Sequence, residues 1–69
     1  MKFSDKLSYL RVKNGMTMEE LGKAANVSKA SIFFYEQGRK PHKNTIIQLA
    51  KALHVDFELL NDDERSITE

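Results

Sequence analysis

The segment from Met16 to Pro41, MTMEELGKAANVSKASIFFYEQGRKP, constrains this chain more than any other. Thr17 and Glu20 have the spacing of a capping box, in which the hydroxyl accepts from an orphan amide while the carboxylate reaches back to another. The helix that starts there runs to Ala25. Gly22, Ala24 and Ala25 within it are small, which permits close approach of a second helix. Gly22 gives up about 1 kcal/mol of helix propensity relative to Ala, so a packing reason is expected for it. Asn26 supplies a turn, as a non-glycine residue able to adopt positive φ. Ser28 then caps a further helix from Lys29 to about Gln37, stopped by Gly38, and Pro41 ends the loop Gly38-Arg39-Lys40.

Two short helices joined by so tight a break have the layout of a helix-turn-helix. In that motif the second helix is pushed into the DNA major groove. At about 100° per residue from Ile32, Tyr35 and Glu36 share its side. Ala30, Phe34 and Gln37 lie roughly opposite, with Phe33 and Lys29 on one flank. Ile32 and Tyr35 are therefore expected in the core. Phe34 points outward at the centre of the exposed face and Phe33 partly so, where a polar reading surface is expected. A monomeric domain has little reason to expose two adjacent phenyl rings.

The rest of the chain is patterned for helices as well, and no strand pattern competes. Ser4 is placed to cap a first helix whose stripe is Leu7 and Leu10, with Phe3 packing beneath its start. Asn14-Gly15 ends it, since both residues tolerate the left-handed conformation of a C-terminal cap. A fourth helix carries Ile46, Leu49, Ala50 and Leu53; His42 and Lys43 mark its start weakly, being poor caps that put positive charge at a helix N-terminus. Asp56 is placed to cap a short last helix with Phe57, Leu59 and Leu60. The domain is expected over residues 1–61, with an acidic, flexible tail over 62–69 from which Ile67 can still reach a contact.

At 69 residues the chain is one domain, near the lower limit for a core without staples. It has no cysteine, which removes disulfides and thiolate metal sites and fits a reducing compartment. His42 and His54 make no convincing ligand set, so no metal and no cofactor is expected. Neither a signal peptide nor a membrane span is visible, and a cytoplasmic location is the default. The net charge of +1 hides an asymmetry. Met1 to His54 carries ten Lys and Arg against four acids, a balance of +6, and Val55 onward carries one Arg against six, a balance of −5. A basic body with an acidic tail suits a polyanion approached from one side; a randomly charged, solvated surface would give the same count.

From Leu7 to Leu60 the chain resembles the phage repressor and Cro-like helix-turn-helix proteins, the XRE-type regulators. Leu7, Leu10 and Arg11 match in the first helix, Gly15-Met16-Thr17 and Glu19-Glu20-Leu21 at the start of the second. Val27-Ser28, Ile32, Glu36 and Gly38 match in the third, followed by Pro41, Thr45, Leu49, Ala50, Leu53, Val55 and Leu60. The resemblance implies an all-α, five-helix lambda-repressor-like bundle. It also implies sequence-specific binding of double-stranded DNA, usually by a homodimer repressing transcription. It further implies an ion pair between Arg11 and Glu36 that ties the first helix to the third, each charge being costly to bury alone. Two unrelated exposed charges are the alternative.

Two departures stand out. The family commonly has Gln just after the cap of the second helix, touching a phosphate, where this chain has Met18; the backbone amides there remain able to bind one. In the slots from which relatives contact base edges stand Lys29, Ala30 and Phe34, with Phe33 beside them. Phenyl rings pack on thymine methyl groups rather than forming bidentate hydrogen bonds. Lys29 can supply a guanine contact, and Gln37 a base or phosphate contact. Thr17, Met18, Ser28, Ser31, Arg39, Lys40 and Lys43 are the expected phosphate contacts, with His42 in the same cluster; an ordinary solvated loop is the competing view of residues 39–43. A different class of function keeps the fold but docks a regulatory protein (antirepressor, toxin or second copy) on Phe33 and Phe34. An enzyme is disfavoured, since no nucleophile–base pair, metal cluster or phosphate-cradling glycine loop is visible.

Overall fold

The computed structural model describes residues 1–62. Its organising element is the capping box. Thr17 Oγ1 accepts from the Glu20 amide at 3.0 Å, and Glu20 Oε1 accepts from the Thr17 amide at 2.8 Å. These bonds start α2 (Met18–Ala25). Asn26 then takes the left-handed conformation at φ 61°, and the Val27 amide folds back onto the Gly22 carbonyl at 2.8 Å. Ser28 caps α3 (Lys29–Glu36) by accepting from the Ser31 amide at 3.0 Å. Around this pair lie α1 (Phe3–Lys13), α4 (Lys43–Leu53) and α5 (Phe57–Asn61).

The turn explains Gly22. A Cβ there would lie 2.6 Å from the Val27 carbonyl oxygen and 3.4 Å from the Lys29 amide. The first is an impossible approach to a backbone atom that cannot step aside, and the second is ordinary contact. The glycine thus permits the turn to close on α2 rather than loosening the helix. Ala25 is buried as well, but Ala24 faces solvent, so the expected run of small contact residues reduces to two.

The first four helices end in the same way. At each end a left-handed residue, namely Gly15, Asn26, Gly38 and His54, turns two amides back onto the last helical carbonyls, a Schellman motif. Asn14 keeps a right-handed φ of −83° and leaves the left-handed position to Gly15. His54 at φ 58° is a terminator that the sequence reading passed over, although His, like Asn, is enriched in this region.

The helix starts differ more from expectation. Ser4 is not the first cap: α1 begins at Phe3 after Lys2, with no side-chain bond, because Phe3 itself must sit in the helix to be buried. Asp56 occupies the cap position of α5 without making a capping bond, and His42 does the same for α4. Gln37 is the C-cap of α3 rather than its last residue.

Leu7, Leu10, Leu21, Ile32, Ile46, Leu49, Leu53 and Leu60 form one buried cluster. α2 packs on α3 and α4, and α1 on α3 and α5. Tyr35 is half-buried at the margin rather than inside. The unexpected core member is Lys6, with 0% exposure. It falls on the stripe Phe3, Leu7, Leu10. Its ammonium escapes the apolar surroundings by donating to the carbonyl oxygens of Leu59, at 2.7 Å, and Asp62. A lysine thereby fastens α5 to α1, and its position on the apolar stripe was the signal for it. The Ile67 contact and the tail beyond Asp62 lie outside the described residues.

Gly22→Ala reverses the usual helix preference. Alanine at a neutral helix site would gain about 1 kcal/mol, but here thermal denaturation should show a lowered Tm, since the turn backbone must move to admit the methyl group. An unchanged or raised Tm would mean that the close approach of Val27 is not required.

Candidate nucleic-acid interface

On α3 one side carries Ile32, with 0% exposure. Ala30 and Phe34 lie on the opposite side and Lys29 and Phe33 on its flank, all exposed, and Gln37 follows at the C-cap, also exposed. The two phenyl rings are 46% and 50% exposed. They pack edge to face, with centroids 5.6 Å apart and planes at 71°. This geometry suits aromatic quadrupoles and places the two rings together as one apolar step on the exposed face of α3. The five residues expected at base edges thus share one accessible face.

Beside that face the helix starts present hydroxyls whose bonding is partly committed. Ser28 Oγ accepts from the Ser31 amide and donates to Ser31 Oγ at 2.9 Å. Its proton is therefore spent, and the Ser31 hydroxyl becomes the outward donor of the pair. Thr17 Oγ1 accepts from the Glu20 amide, and its hydroxyl also bonds the Glu20 carboxylate, so an incoming group would have to share it. The Met18 side chain is partly buried against the core. The Glu20 carboxyl is held below its ordinary pKa, first by the bond from the Thr17 amide, then by the Thr17 side chain, with Lys23 adding to it. Glu20 therefore stays ionised to lower pH than an unpaired glutamate would.

The basic loop is less free than its sequence implies. Lys40 Nζ donates to the Asn61 carbonyl oxygen at 3.0 Å, and Lys43 Nζ lies 5.9 Å from the centre of the Phe57 ring. Both cations lean towards α5. Arg39 and His42 are exposed beside them.

Behind the face lies the expected ion pair. Arg11 donates from Nε to Glu36 Oε2 at 2.6 Å and from Nη2 to Oε1 at 3.2 Å, a forked arrangement. The Glu36 side chain is only 5% exposed and that of Arg11 15%. Arg11 Nη1 also holds the Met16 carbonyl oxygen at 2.8 Å. One guanidinium therefore fixes the end of α3 and the loop just before Thr17, setting the start of α2 against the exposed face. The pair is legible in the sequence, whereas the third contact, to a backbone carbonyl, is not.

A helix-turn-helix family model matches residues 7–60. The chain belongs to the phage repressor and Cro-like (XRE-type) helix-turn-helix family. That family comprises DNA-binding transcription regulators and is typically non-enzymatic. Among solved structures, the P22 c2 repressor, in complex with synthetic operator 9T in the presence of Tl+, superposes with a TM-score of 0.86 at 23% identity, over 93% of this chain and 98% of that one. The likeness supports the five-helix, lambda-repressor-like architecture. No curated protein matches the chain. Among the described residues no helix is long and apolar enough to cross a membrane.

The ion pair yields a graded prediction. Arg11→Met should destabilise the XRE-type domain by about 3 kcal/mol, because it strands a buried carboxylate. The double variant Arg11→Met/Glu36→Leu should recover most of that loss, although the Met16 carbonyl stays without its donor. Urea denaturation of the wild type and both variants measures this; equal stability of wild type and Arg11→Met would mean the pair contributes nothing.

Proposed function

We propose that this protein is a sequence-specific repressor that binds a palindromic operator as a homodimer, with α3 in the major groove. The observation that carries the reading is the solvent face of α3, which gathers Lys29, Ala30, Phe33, Phe34 and Gln37 on a helix fixed from behind by Arg11 and Glu36. Membership of the XRE-type family supports it, as does the fold shared with a repressor solved on its operator. Residues 1–61 are the DNA-binding domain in this reading, and the cytoplasm is where it acts.

Lys29 donates to guanine and Gln37 to a base or phosphate, while Phe34, with Phe33 beside it, packs on the thymine methyl. Phosphates are held by the Thr17 and Ser31 hydroxyls, the Met18 amide, and Arg39, Lys40 and Lys43, with Ser28 acting through Ser31. Few hydrogen-bonded base contacts are available, so affinity leans on phosphates and falls steeply with salt. A second reading is favoured by the same half-exposed rings. Phe33 and Phe34 would instead anchor a protein partner, such as an antirepressor, a toxin or a second copy, as aromatic residues do at interfaces.

Selection of bound sites from a random duplex library, for wild type and Phe34→Ala, separates the two. Operator reading predicts a palindrome with half-site centres about one helical turn apart, and a thymine preference that Phe34→Ala loses. Replacing that thymine by uracil should weaken wild-type binding roughly fourfold, the value of about one buried methyl-sized group, and leave Phe34→Ala indifferent. Salt-sensitive binding with no enriched motif would transfer the face to the protein-docking reading.

A further inference from the structure

Phe34 stands at the centre of the exposed α3 face, half-exposed, with its ring against the edge or face of Phe33. Its neighbours one turn away on that face are Ala30 and Gln37. Ala30 ends in a methyl group and forms no side-chain hydrogen bond. Gln37 carries both an acceptor and a donor. Lys29, which can only donate, stands one turn before Phe33 and so on the flank rather than beside Phe34. Cations thus bracket the apolar step, with Lys29 in the first turn of α3 and Arg39 and Lys40 just past its end. A partner that offers small apolar groups between rows of negative charge fits this arrangement. The major groove of a duplex is such a partner, since its thymine methyl groups lie between two phosphate backbones.

Base chemistry then decides what this slot can tell apart. In the major groove thymine shows an O4 acceptor and a C5 methyl group, and cytosine shows an N4 amino donor. A phenyl ring has no conventional hydrogen bond for either exocyclic group, Ala30 has none, and the Gln37 amide can turn to suit both. The methyl group is the one feature that the slot distinguishes. We propose that the Phe34 slot accepts 5-methylcytosine in place of thymine, so that methylating a cytosine at that position raises affinity as thymine does. 5-Methylcytosine carries its methyl group on the same ring carbon and differs at the exocyclic group, which the slot does not read. The ligand class is therefore a C5-methylated pyrimidine in duplex DNA rather than thymine alone. This inference rests on the operator-reading role of α3.

The test uses the full chain and the site selected from the duplex library, with affinity followed by fluorescence anisotropy. Four duplexes differ only at the base pair under Phe34: thymine or uracil opposite adenine, and 5-methylcytosine or cytosine opposite guanine. Wild type should bind the 5-methylcytosine duplex roughly fourfold tighter than the cytosine one, matching thymine over uracil. Phe34→Ala should lose both gains but keep its salt-sensitive affinity for random duplex, which shows that it is folded. Phe34→Leu, apolar without being aromatic, should keep part of both. A thymine gain without a 5-methylcytosine gain would overturn the proposal and leave operator reading intact, because the slot would then be reading the exocyclic group. A 5-methylcytosine gain that survives Phe34→Ala would overturn it too, as an effect of methylation on the DNA itself. If neither methyl group matters, Phe34 reads no base; if no site is selected at all, the operator reading fails. The proposal falls in both cases.

Discussion

The guanidinium of Arg11 is the constraint on which the rest of the arrangement depends. It stands on α1, grips Glu36 at the end of α3 with two bonds, and holds the Met16 carbonyl just before α2 begins. Helices of eight residues, such as α2 and α3, are too short to be stable alone, so their relative placement must come from tertiary contacts. Apolar contacts alone would leave the rotation of α3 soft, since Ile32 is its one fully buried hydrophobic residue. A forked pair is directional where hydrophobic burial is not. It fixes which residues of α3 face outward, so the identity of the exposed face is decided at the back of the helix.

Gly22 plays the complementary part at the other end of the motif. The turn after α2 closes because no side chain stands between Gly22 and the Val27 carbonyl, and Asn26 accepts a left-handed backbone to let it do so. Arg11 and Gly22 act on different coordinates, the first on the orientation of α3 and the second on its distance from α2. A rigid scaffold of this kind places functional groups at its helix starts and on one exposed face, where neither packing nor capping competes for them.

Much of this was legible because it follows from local chemistry. The capping box, the Asn26 turn, the Ser28 cap and the α4 stripe each depend on residues within four positions of one another, and such signals survive without knowledge of the fold. Ser4 failed as a cap for a non-local reason: burial of Phe3 outweighs a capping bond and draws the helix start back past it. Lys6 and Lys40 were opaque for the same reason, since their partners are carbonyl oxygens more than twenty residues away. Sequence identifies a cation but not the backbone oxygen that will claim it. The exposed face of α3 was legible from periodicity, whereas the hydroxyl relay from Ser28 to Ser31 needed the geometry.

The consequence is a surface in which two kinds of contact have been separated. The apolar step of Phe33 and Phe34 is held by ring packing and owes nothing to charge. The cations that would grip phosphate lie in a loop already turned towards α5, through Lys40 on Asn61 and Lys43 over Phe57. In the proposed role, Lys40 and Lys43 would each exchange a protein partner for a phosphate, so their net contribution would be smaller than their charge suggests. The rings pay no such exchange, because exposed apolar surface gains from burial against any complementary methyl group. In the proposed DNA-reading role, methyl contact by the rings would therefore add to the polar base contacts of Lys29 and Gln37, while the cationic loop would contribute a salt-dependent affinity that carries no sequence information.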